Sequence, residues 1–454
     1  PGYTLDVTGD INFTGALTKN GTTFSSGAAS PWTTTGNDLS YTTGAVGIGT
    51  NTPSARLHIT PVPASGGGNL SSPEAQWGSL QEVLYMDPYS MQNSTNCVVL
   101  GVAVDSNGNI YLAGYYYAEY TWNLGNSITL PSTGSSNIAQ NGFIIKYDAS
   151  GTVQWANNLA PTTVFSKGVG VTVDSGGNVY VIGDYASSGT VSFPGSTITL
   201  PLANSGFCLL NKYNASGALQ WADATAGGTE YSYGKGVTMD SNGDLYISGW
   251  YRMQSGSASI GNGVVLPYTG SGSVGRPFQS KYNVSGTPQW AQTLSTTAGS
   301  VSNAVATDSS GNVFVVGTYR STSSVSILNI DGYASGYYLP SASNDSAFLI
   351  KYDSNGDAQW AKSIGLSGNN CYGISVATDS NGDVYITGRY SSSSTIYLGG
   401  PGAPSLPSTS GTRSFIIKYD ASGIAAQWAQ IINTSSSSYN TGVATDSSGN
   451  VYMT

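Results

Sequence analysis

Side chains able to do acid–base, nucleophilic or metal chemistry are scarce in this sequence. It has one histidine, His58, and three cysteines. A Ser-His-Asp or Cys-His arrangement needs a histidine at its nucleophile, and zinc sites need several His or Cys ligands. Glycoside hydrolysis needs only two carboxylates. The carboxylates in or beside long interstrand segments are Glu119, Asp184, Glu230, Asp331 and Asp345.

Nothing in the spacing of these carboxylates singles out two of them. The stretches at 240–244 and 379–383 read Asp-Ser-Asn-Gly-Asp, which resembles the start of a calcium loop. The later ligands of such a loop, including its bidentate Glu, are absent. We therefore predict no catalytic residue, no metal site, no cofactor and no enzyme, with a polysaccharide-acting enzyme as the weakest alternative function.

Binding chemistry has better candidates, at a recurring Gly-x-Tyr motif whose middle residue varies. The tyrosine is constant between copies, which indicates a structural role. The variable middle residues are Tyr115, Asp184, Trp250, Thr318 and Arg389. Among them we prefer Trp250 and Arg389, because an aromatic ring and a guanidinium at the mouth of a loop suit contacts to carbohydrate or protein.

These motifs belong to a repeat. A Val/Thr-x-Asp-Ser-x-Gly-Asn/Asp-x-Tyr/Phe segment returns at intervals of 69, 66, 68, 71 and 67 residues. Its turn aspartates are Asp105, Asp174, Asp240, Asp308, Asp379 and Asp446. A second segment, with Lys-Tyr and Gln-Trp, keeps step with it and ends in Trp155, Trp221, Trp290, Trp360 and Trp428. Because these tryptophans occupy one strand position in every copy, we expect packing between repeats rather than sugar stacking.

Each copy contains four short β-prone stretches and no helical periodicity. In the turn segments Asp caps a tight turn and Gly supplies the residue with φ > 0, so each unit reads as two hairpins. A four-stranded sheet of this size buries both faces only when neighbouring sheets cover it, as in a β-propeller. We predict an all-β propeller with six blades, or seven if the natural chain continues. The repeats lie near 95–161, 166–227, 232–297, 300–366, 371–434 and, in part, 439–454.

One side of such a disc is predicted to carry function. Both tight turns of a blade lie on one side, and the long segments between the second and third strands lie on the other. Binding residues concentrate on long loops held by a rigid scaffold. The candidate loops are 118–142, 186–206, 252–277, 320–347 and 391–414.

Composition excludes several classes of partner. The formal charge is −9 and the sequence has no run of Lys or Arg, which argues against nucleic acid. No apolar stretch approaches the roughly 20 residues that span a bilayer, so no membrane insertion is expected. Three cysteines do not complete a disulfide framework, and we interpret Cys97, Cys208 and Cys371 as buried packing residues.

Residues 1–60 differ in kind from the repeats. They hold few large apolar side chains, so we expect them to become stable by winding with copies of themselves, as a homotrimer. Residues 61–76 read as a flexible linker and 77–454 as the propeller. Gln76-Trp77 resembles the Gln-Trp of an outermost strand, which predicts that residues near Trp77 close the ring by pairing with the last blade.

Two resemblances to known families add to these predictions. The pattern D-x-x-G-N-x-Y-x-x-G followed by F-x-x-K-x-D-x-x-G-x-x-x-W, over residues 95–454, resembles the SBBP propeller repeats of bacteria and viruses. Residues 5–59, with Val-Gly-Ile-Gly-Thr-Asn-Thr-Pro-Ser-Ala-Arg-Leu-His-Ile, resemble the end of the shaft of phage tail fibres and of fibre-like proteins of large DNA viruses. Those shafts are typically trimeric β-structures.

The resemblances imply a structural and binding protein of a virion surface. Residues 1–60 would form the shaft or base, and the propeller would be an exposed head that contacts a glycan, a host receptor or other virion or surface proteins. The alternative is a secreted bacterial cell-surface adhesion protein. Both place the protein outside the cell or on the virion surface.

Overall fold

A computed structural model of the chain describes four short strands near the start and most of residues 96–454. The strands near the start form two hairpins: β1 (Thr18–Lys19) with β2 (Thr22–Thr23), and β3 (Trp32–Thr35) with β4 (Asp38–Tyr41). Within 96–454 the description leaves out 118–120, 133–139, 162–164, 225–230, 254–255, 268–273, 329–333, 366–369, 400–401, 424, 433–441 and 447–448. The chain divides into two units, Pro1–Ser71 and Ser72–Thr454. The linker and the closing segment at Trp77 lie outside the described residues. So does the predicted shaft, except for those two hairpins.

Five four-stranded antiparallel sheets follow one another along the chain, each with its strands in sequence order from the inside outward. The first strands are β5 (Asn96–Val104), β11 (Phe165–Val173), β17 (Tyr231–Met239), β23 (Val301–Thr307) and β29 (Asn370–Thr378). The second strands are β6 (Ile110–Tyr117), β12 (Val179–Ser187), β18 (Leu245–Arg252), β24 (Val313–Ser321) and β30 (Val384–Ser391). The third strands are β9 (Asn141–Tyr147), β15 (Ala203–Tyr213), β21 (Arg276–Tyr282), β27 (Ala342–Tyr352) and β33 (Arg413–Tyr419). The outer strands are β10 (Val153–Asn158), β16 (Leu219–Ala224), β22 (Pro288–Thr293), β28 (Ala358–Ile364) and β34 (Ala426–Ile432).

The first strands of neighbouring sheets pack on one another in chain order, as the blades of a propeller do. A further hairpin, β35 (Val443–Thr445) with β36 (Val451–Met453), packs against the fifth blade. The predicted all-β propeller of four-stranded blades is thus confirmed. Among the described residues there is no helix with the length and apolarity needed to cross a membrane.

The tight turns are built around the turn aspartates, as Asp105 illustrates. Its Oδ1 accepts hydrogen bonds from the backbone N–H of Asn107 at 2.9 Å and of Asn109 at 3.0 Å. Its Oδ2 accepts from the Tyr111 hydroxyl at 2.9 Å. Gly108 takes a φ of 78°, which side chains disfavour. The same carboxylate therefore fixes the turn and anchors a core tyrosine. Because neighbouring strands are antiparallel, the turns after the first strands and those after the third strands lie at the same end of each blade, which we call the turn side.

The repeated tryptophans join one blade to the next. Trp155 Nε1 donates a hydrogen bond to the Ala215 carbonyl in a turn of the second blade, at 3.0 Å. The turn fits against the ring because residue 217 is glycine: a Cβ there would lie 2.7 Å from the indole. Trp221, Trp290 and Trp360 meet Gly286, Gly356 and Gly423 in the same way. These four tryptophans thus fill space between blades.

The long segments between second and third strands are partly folded. Each holds a short hairpin whose last leucine is buried and precedes a proline. Tyr116, the constant tyrosine of the first blade, donates its hydroxyl to the Pro131 carbonyl at 2.8 Å. The hairpins are β7 (Trp122–Gly125) with β8 (Ile128–Leu130), β13 (Val191–Ser192) with β14 (Thr199–Leu200), β19 (Ser257–Gly261) with β20 (Val264–Pro267), β25 (Val325–Leu328) with β26 (Ala334–Leu339), and β31 (Ile396–Tyr397) with β32 (Ser405–Leu406). Each packs on the outer strand of its own blade, so these segments are more ordered than the loops that the sequence predicts.

Apolar side chains at both ends of the series of blades are more exposed than their equivalents in other blades. Val102 and Val104 on β5 are 53% and 56% exposed, whereas the equivalent of Val102 in the second blade, Val171, is 8% exposed. Tyr452 on β36 is 56% exposed, whereas its equivalent Tyr111 is fully buried against the following blade. The two ends of the series thus expose the surfaces that neighbouring blades cover elsewhere. Closure by residues near Trp77 stays a prediction.

The cysteines form no disulfide among the described residues. Cys208 and Cys371 are buried, as predicted, and Cys97 is only half-buried. Burial raises the pKa of the Cys97 and Cys371 thiols to about 12. These thiols therefore stay protonated near neutral pH and are poor nucleophiles.

Candidate functional site

Five cross-strand pairs lie at the end of the first two strands that is remote from the tight turns, which we call the loop side. The second member of each pair is one of the predicted variable residues. The first member comes seven residues before a turn aspartate and is not among the residues predicted from the sequence; it is valine in two blades, tyrosine in two and lysine in one. These mouth pairs are Val98–Tyr115, Lys167–Asp184, Tyr233–Trp250, Val301–Thr318 and Tyr372–Arg389.

A bulge and a glycine position each pair. In the third blade the register of β17 shifts between Gly234 and Gly236, directly after the pair. Gly249, the constant glycine of Gly-x-Tyr, lies so close that a Cβ there would be 2.1 Å from the Tyr233 carbonyl oxygen. Bulges re-aim the side chains beside them. The constant glycine and the bulge therefore hold the varied pair at the loop-side edge of the blade, which we call the rim.

The third blade carries an aromatic row. Tyr233 and Trp250 are stacked, with ring centroids 4.8 Å apart and planes 24° apart. Tyr231 lies parallel to Tyr233 at 6.3 Å, and the Arg252 guanidinium lies 4.7 Å from the centre of the Tyr231 ring. Gly275 approaches Trp250 closely, since a Cβ there would be 2.9 Å from the indole. All four side chains of the row are half-buried, so each presents some surface to solvent.

The fifth blade also places a guanidinium over a tyrosine ring, at its mouth pair Tyr372–Arg389. The Arg389 guanidinium lies 4.8 Å from the centre of the Tyr372 ring. The Tyr372 hydroxyl donates to Asp345 Oδ2 at 2.9 Å, and Arg320 forms an ion pair with Asp345 Oδ1 at 2.9 Å. Desolvation and the neighbouring Asp345 raise the pKa of Tyr372, which keeps this hydroxyl protonated as a donor. The guanidinium and the tyrosine ring are thus held together at the rim of the fifth blade, as they are in the third.

Two predicted binding residues are inaccessible. Asp184 is fully buried, with its carboxylate 3.2 Å from Lys167 Nζ and accepting from the Gly234 N–H at 2.8 Å. Burial raises its pKa to about 6, against the opposing effects of Lys167 and this N–H. Thr318 is 6% exposed. The prediction that a varied residue is accessible is therefore wrong for these two, because Asp184 is held against Gly234 of the next blade and Thr318 is buried.

In the first-blade pair Tyr115 is half-buried and Val98 is 37% exposed. The Tyr115 and Tyr117 rings meet edge to face, with centroids 5.9 Å apart. The Gln140 side-chain amide donates to the Tyr117 hydroxyl. Aromatic edges at this position again suit contact with a partner.

The carboxylates considered for hydrolysis do not form a described pair. Glu119, Glu230 and Asp331 lie outside the described residues. Asp184 is buried away from any substrate, and Asp345 is bound to Arg320 and Tyr372. Within the described ranges no group of three His, Cys, Asp or Glu side chains is placed to hold a metal ion. That no enzyme is present stays a prediction.

Known proteins resemble this chain in sequence and in fold. Residues 359–389 match the SBBP family, described as a β-propeller repeat. An uncharacterised WD repeat-containing protein of Acanthamoeba polyphaga mimivirus is 28% identical over 340 residues, covering 64% of this chain and 24% of the relative. The chain thus spans about a quarter of that relative's length.

Solved structures with a similar arrangement include propeller enzymes of very low identity. A quinohemoprotein alcohol dehydrogenase from Pseudomonas putida is 12% identical with a TM-score of 0.36, over 74% of this chain and 64% of that chain. Streptogramin B lyase is 12% identical with a TM-score of 0.34, over 79% and 94%. These likenesses establish no enzyme here. By its four-stranded sheets and its repeats, the chain is a β-propeller repeat protein.

Proposed function

We propose that this chain is a binding protein of a virion surface, with the loop side of the propeller as its contact surface. One observation carries the proposal: the blades repeat their turns, tryptophans and core tyrosines, and they differ at the mouth pairs. Half-buried Trp250 and Arg389, each stacked on a tyrosine, are the preferred contacts. Preorganised aromatic and arginine side chains lose little entropy on binding, which is why they dominate contact energies.

The viral setting is supported by the mimivirus relative, which is 28% identical to this chain over 340 residues. A host receptor or glycan, or another virion protein, is the proposed partner. The bacterial adhesion alternative uses the same surface. Labelling the chain with antibody separates the two settings: label on particles supports the viral one, and label confined to a bacterial cell envelope contradicts it.

The contact surface is tested with Trp250→Ala. If Trp250 is a main contact, we expect attachment of the full chain to host cells to weaken by about 2 kcal/mol or more. Arg389→Ala should weaken it in the same direction. The measurement is the cell-bound fraction of labelled protein against concentration, after circular dichroism shows that each variant is folded.

A matched variant on the inserted hairpins sharpens this test. Tyr397 is 74% exposed on β31, within the predicted loop 391–414, in a hairpin that packs on the outer strand, whereas the mouth pair of this blade lies on the first two strands. We expect Tyr397→Ala to attach like the unmodified chain. The contact surface would have to be moved to the hairpins if Tyr397→Ala abolished attachment while Trp250→Ala and Arg389→Ala left it unchanged.

The proposed shaft makes a separate prediction about oligomeric state. The apolar positions that neighbouring copies should cover are Leu5, Val7, Ile11, Phe13, Val46, Ile48, Leu57 and Ile59. The full chain should be a trimer, and deletion of residues 1–60 should give a monomer with the same β-rich circular dichroism, because the blades do not depend on the shaft. Light scattering measures both masses, and a trimer that survives the deletion would contradict the assignment.

A further inference from the structure

Charge is segregated between the two sides of the propeller. Carboxylates dominate the turn side, where the cations are five lysines, Lys146, Lys212, Lys281, Lys351 and Lys418. One further lysine, Lys362, lies within the outer strand β28 and is counted on neither side. The twelve turn-side carboxylates are Asp105, Asp148, Asp174, Asp240, Asp244, Asp308, Asp353, Asp357, Asp379, Asp383, Asp420 and Asp446. An overall charge of −9 therefore conceals a difference between the two sides.

Arginine is confined to the other side. Every arginine after Arg56 lies at or within two residues of the loop-side end of a second or third strand. They are Arg252, Arg276, Arg320, Arg389 and Arg413. Lys167 lies in the loop-side half of its first strand, and Lys235 lies at the middle of β17. In the described part of the chain, the loop side carries three carboxylates, Asp184, Asp223 and Asp345.

Two of these three carboxylates are already matched by cations. Asp184 is buried against Lys167 at 3.2 Å, and Asp345 is paired with Arg320 at 2.9 Å. The other cations of this side are Arg252, Arg389, Arg413 and the fully buried Arg276. Even if Glu119, Glu230 and Asp331 are all counted on this side, its carboxylates do not outnumber its cations, whereas on the turn side they do by twelve to five.

The cations at the rim stand beside aromatic faces. Arg252 is stacked on Tyr231 in the row that continues to Trp250, and Arg389 is stacked on Tyr372. Stacking holds a guanidinium in one plane, and its fork of N–H groups matches a carboxylate or sulfate with two hydrogen bonds. An aromatic ring beside it suits the apolar C–H face of a sugar ring. The two groups together match a sugar that carries an acidic substituent.

We infer that the loop side binds an anionic polysaccharide, one whose sugars bear carboxylate or sulfate groups, with Arg252, Arg389 and the aromatic row as contacts. This inference rests on the proposed binding function of the same surface. A nucleic acid is less well matched, because its phosphates call for a continuous basic surface. Here five arginines are spread over three blades, and the opposite side is acidic.

The test uses the full chain and four probes. These are alginate as the carboxylated glycan, dextran sulfate as the sulfated one, neutral dextran, and a single-stranded DNA. We expect measurable binding to alginate or dextran sulfate, at least about tenfold tighter than to dextran or DNA. Raising the salt from about 50 mM to about 200 mM should weaken it several-fold, because the contacts are charged and partly exposed. Preference between the two acidic glycans identifies the acidic group.

Charge-matched variants locate the site. Arg252→Gln with Arg389→Gln removes two cations from the loop side, and Lys212→Gln with Lys351→Gln removes two from the turn side. The arginine variant should weaken glycan binding about tenfold or more, and the lysine variant less than about twofold. A thermal melt checks that both are folded.

Three results would overturn the inference: binding to neutral dextran as tight as to the acidic glycans, DNA binding as tight as theirs, or an equal loss in both variants. If no glycan binds and host attachment still depends on Trp250 and Arg389, the ligand class is wrong and the proposed function holds. If attachment is also unaffected by those residues, the proposed function fails as well.

Discussion

Replacing Trp290 by alanine is expected to lower the free energy of unfolding by about 3–5 kcal/mol. Trp290 is 4% exposed and packs on Tyr246 of its own blade and Tyr352 of the next, with ring centroids 6.0 and 6.5 Å apart. Its Nε1 donates to the Ser354 carbonyl at 3.2 Å. Truncation would leave a cavity between two blades. Chemical denaturation followed by circular dichroism measures the loss.

Two other tryptophans provide comparisons for this loss of unfolding free energy. Trp360 packs on Phe314 and on the turn at Gly423 but makes no described hydrogen bond through Nε1, so Trp360→Ala should cost slightly less, near 3 kcal/mol. Trp250→Ala should cost least, because Trp250 lies at the rim and joins no two blade cores. A loss at Trp250 as large as at Trp290 would contradict the division into packing and contact residues.

The repeat made the fold predictable from sequence. The turn segments Asp-Ser-x-Gly contain their own geometry, since a carboxylate and a φ > 0 glycine define a tight turn locally. The Gln-Trp segments showed which strand is outermost by their constancy. Six copies of one pattern then left a propeller as the arrangement that covers both faces of each sheet.

The site was less predictable, because it depends on register and burial. The variable residue of Gly-x-Tyr was visible, but its partner was not, since the bulge between Gly234 and Gly236 changes which residues face each other. Asp184 looked accessible and is buried by a contact with Gly234 of the next blade. Loops are predicted from the sequence where the structure has the inserted hairpins, although alternating apolar residues before Leu-Pro, such as Val325 and Ile327, indicate a strand.

The same glycine motif that supports the site gives the second large prediction. In Gly249→Ala the new Cβ would lie 2.1 Å from the Tyr233 carbonyl oxygen and 2.8 Å from the Phe278 ring. Both neighbours are held by the sheet, so β17 and β18 must move apart. We expect a loss of about 3 kcal/mol or more in unfolding free energy, at the upper end of overpacking effects. Gly299→Ala, where no atom lies within 4 Å of the Cβ, should change it by less than about 0.5 kcal/mol.

A third glycine separates loss of fold from loss of site. In Gly317→Ala the Cβ would lie 2.0 Å from the Val301 carbonyl oxygen, the same clash in a blade whose mouth pair is Val301–Thr318. Both clashing variants should lose similar stability. Only Gly249→Ala should also alter the near-ultraviolet circular dichroism of the Tyr233–Trp250 stack and weaken attachment beyond its loss of folded protein. If Gly317→Ala weakened attachment equally at matched folded fraction, the aromatic row would not be the contact that distinguishes the third blade.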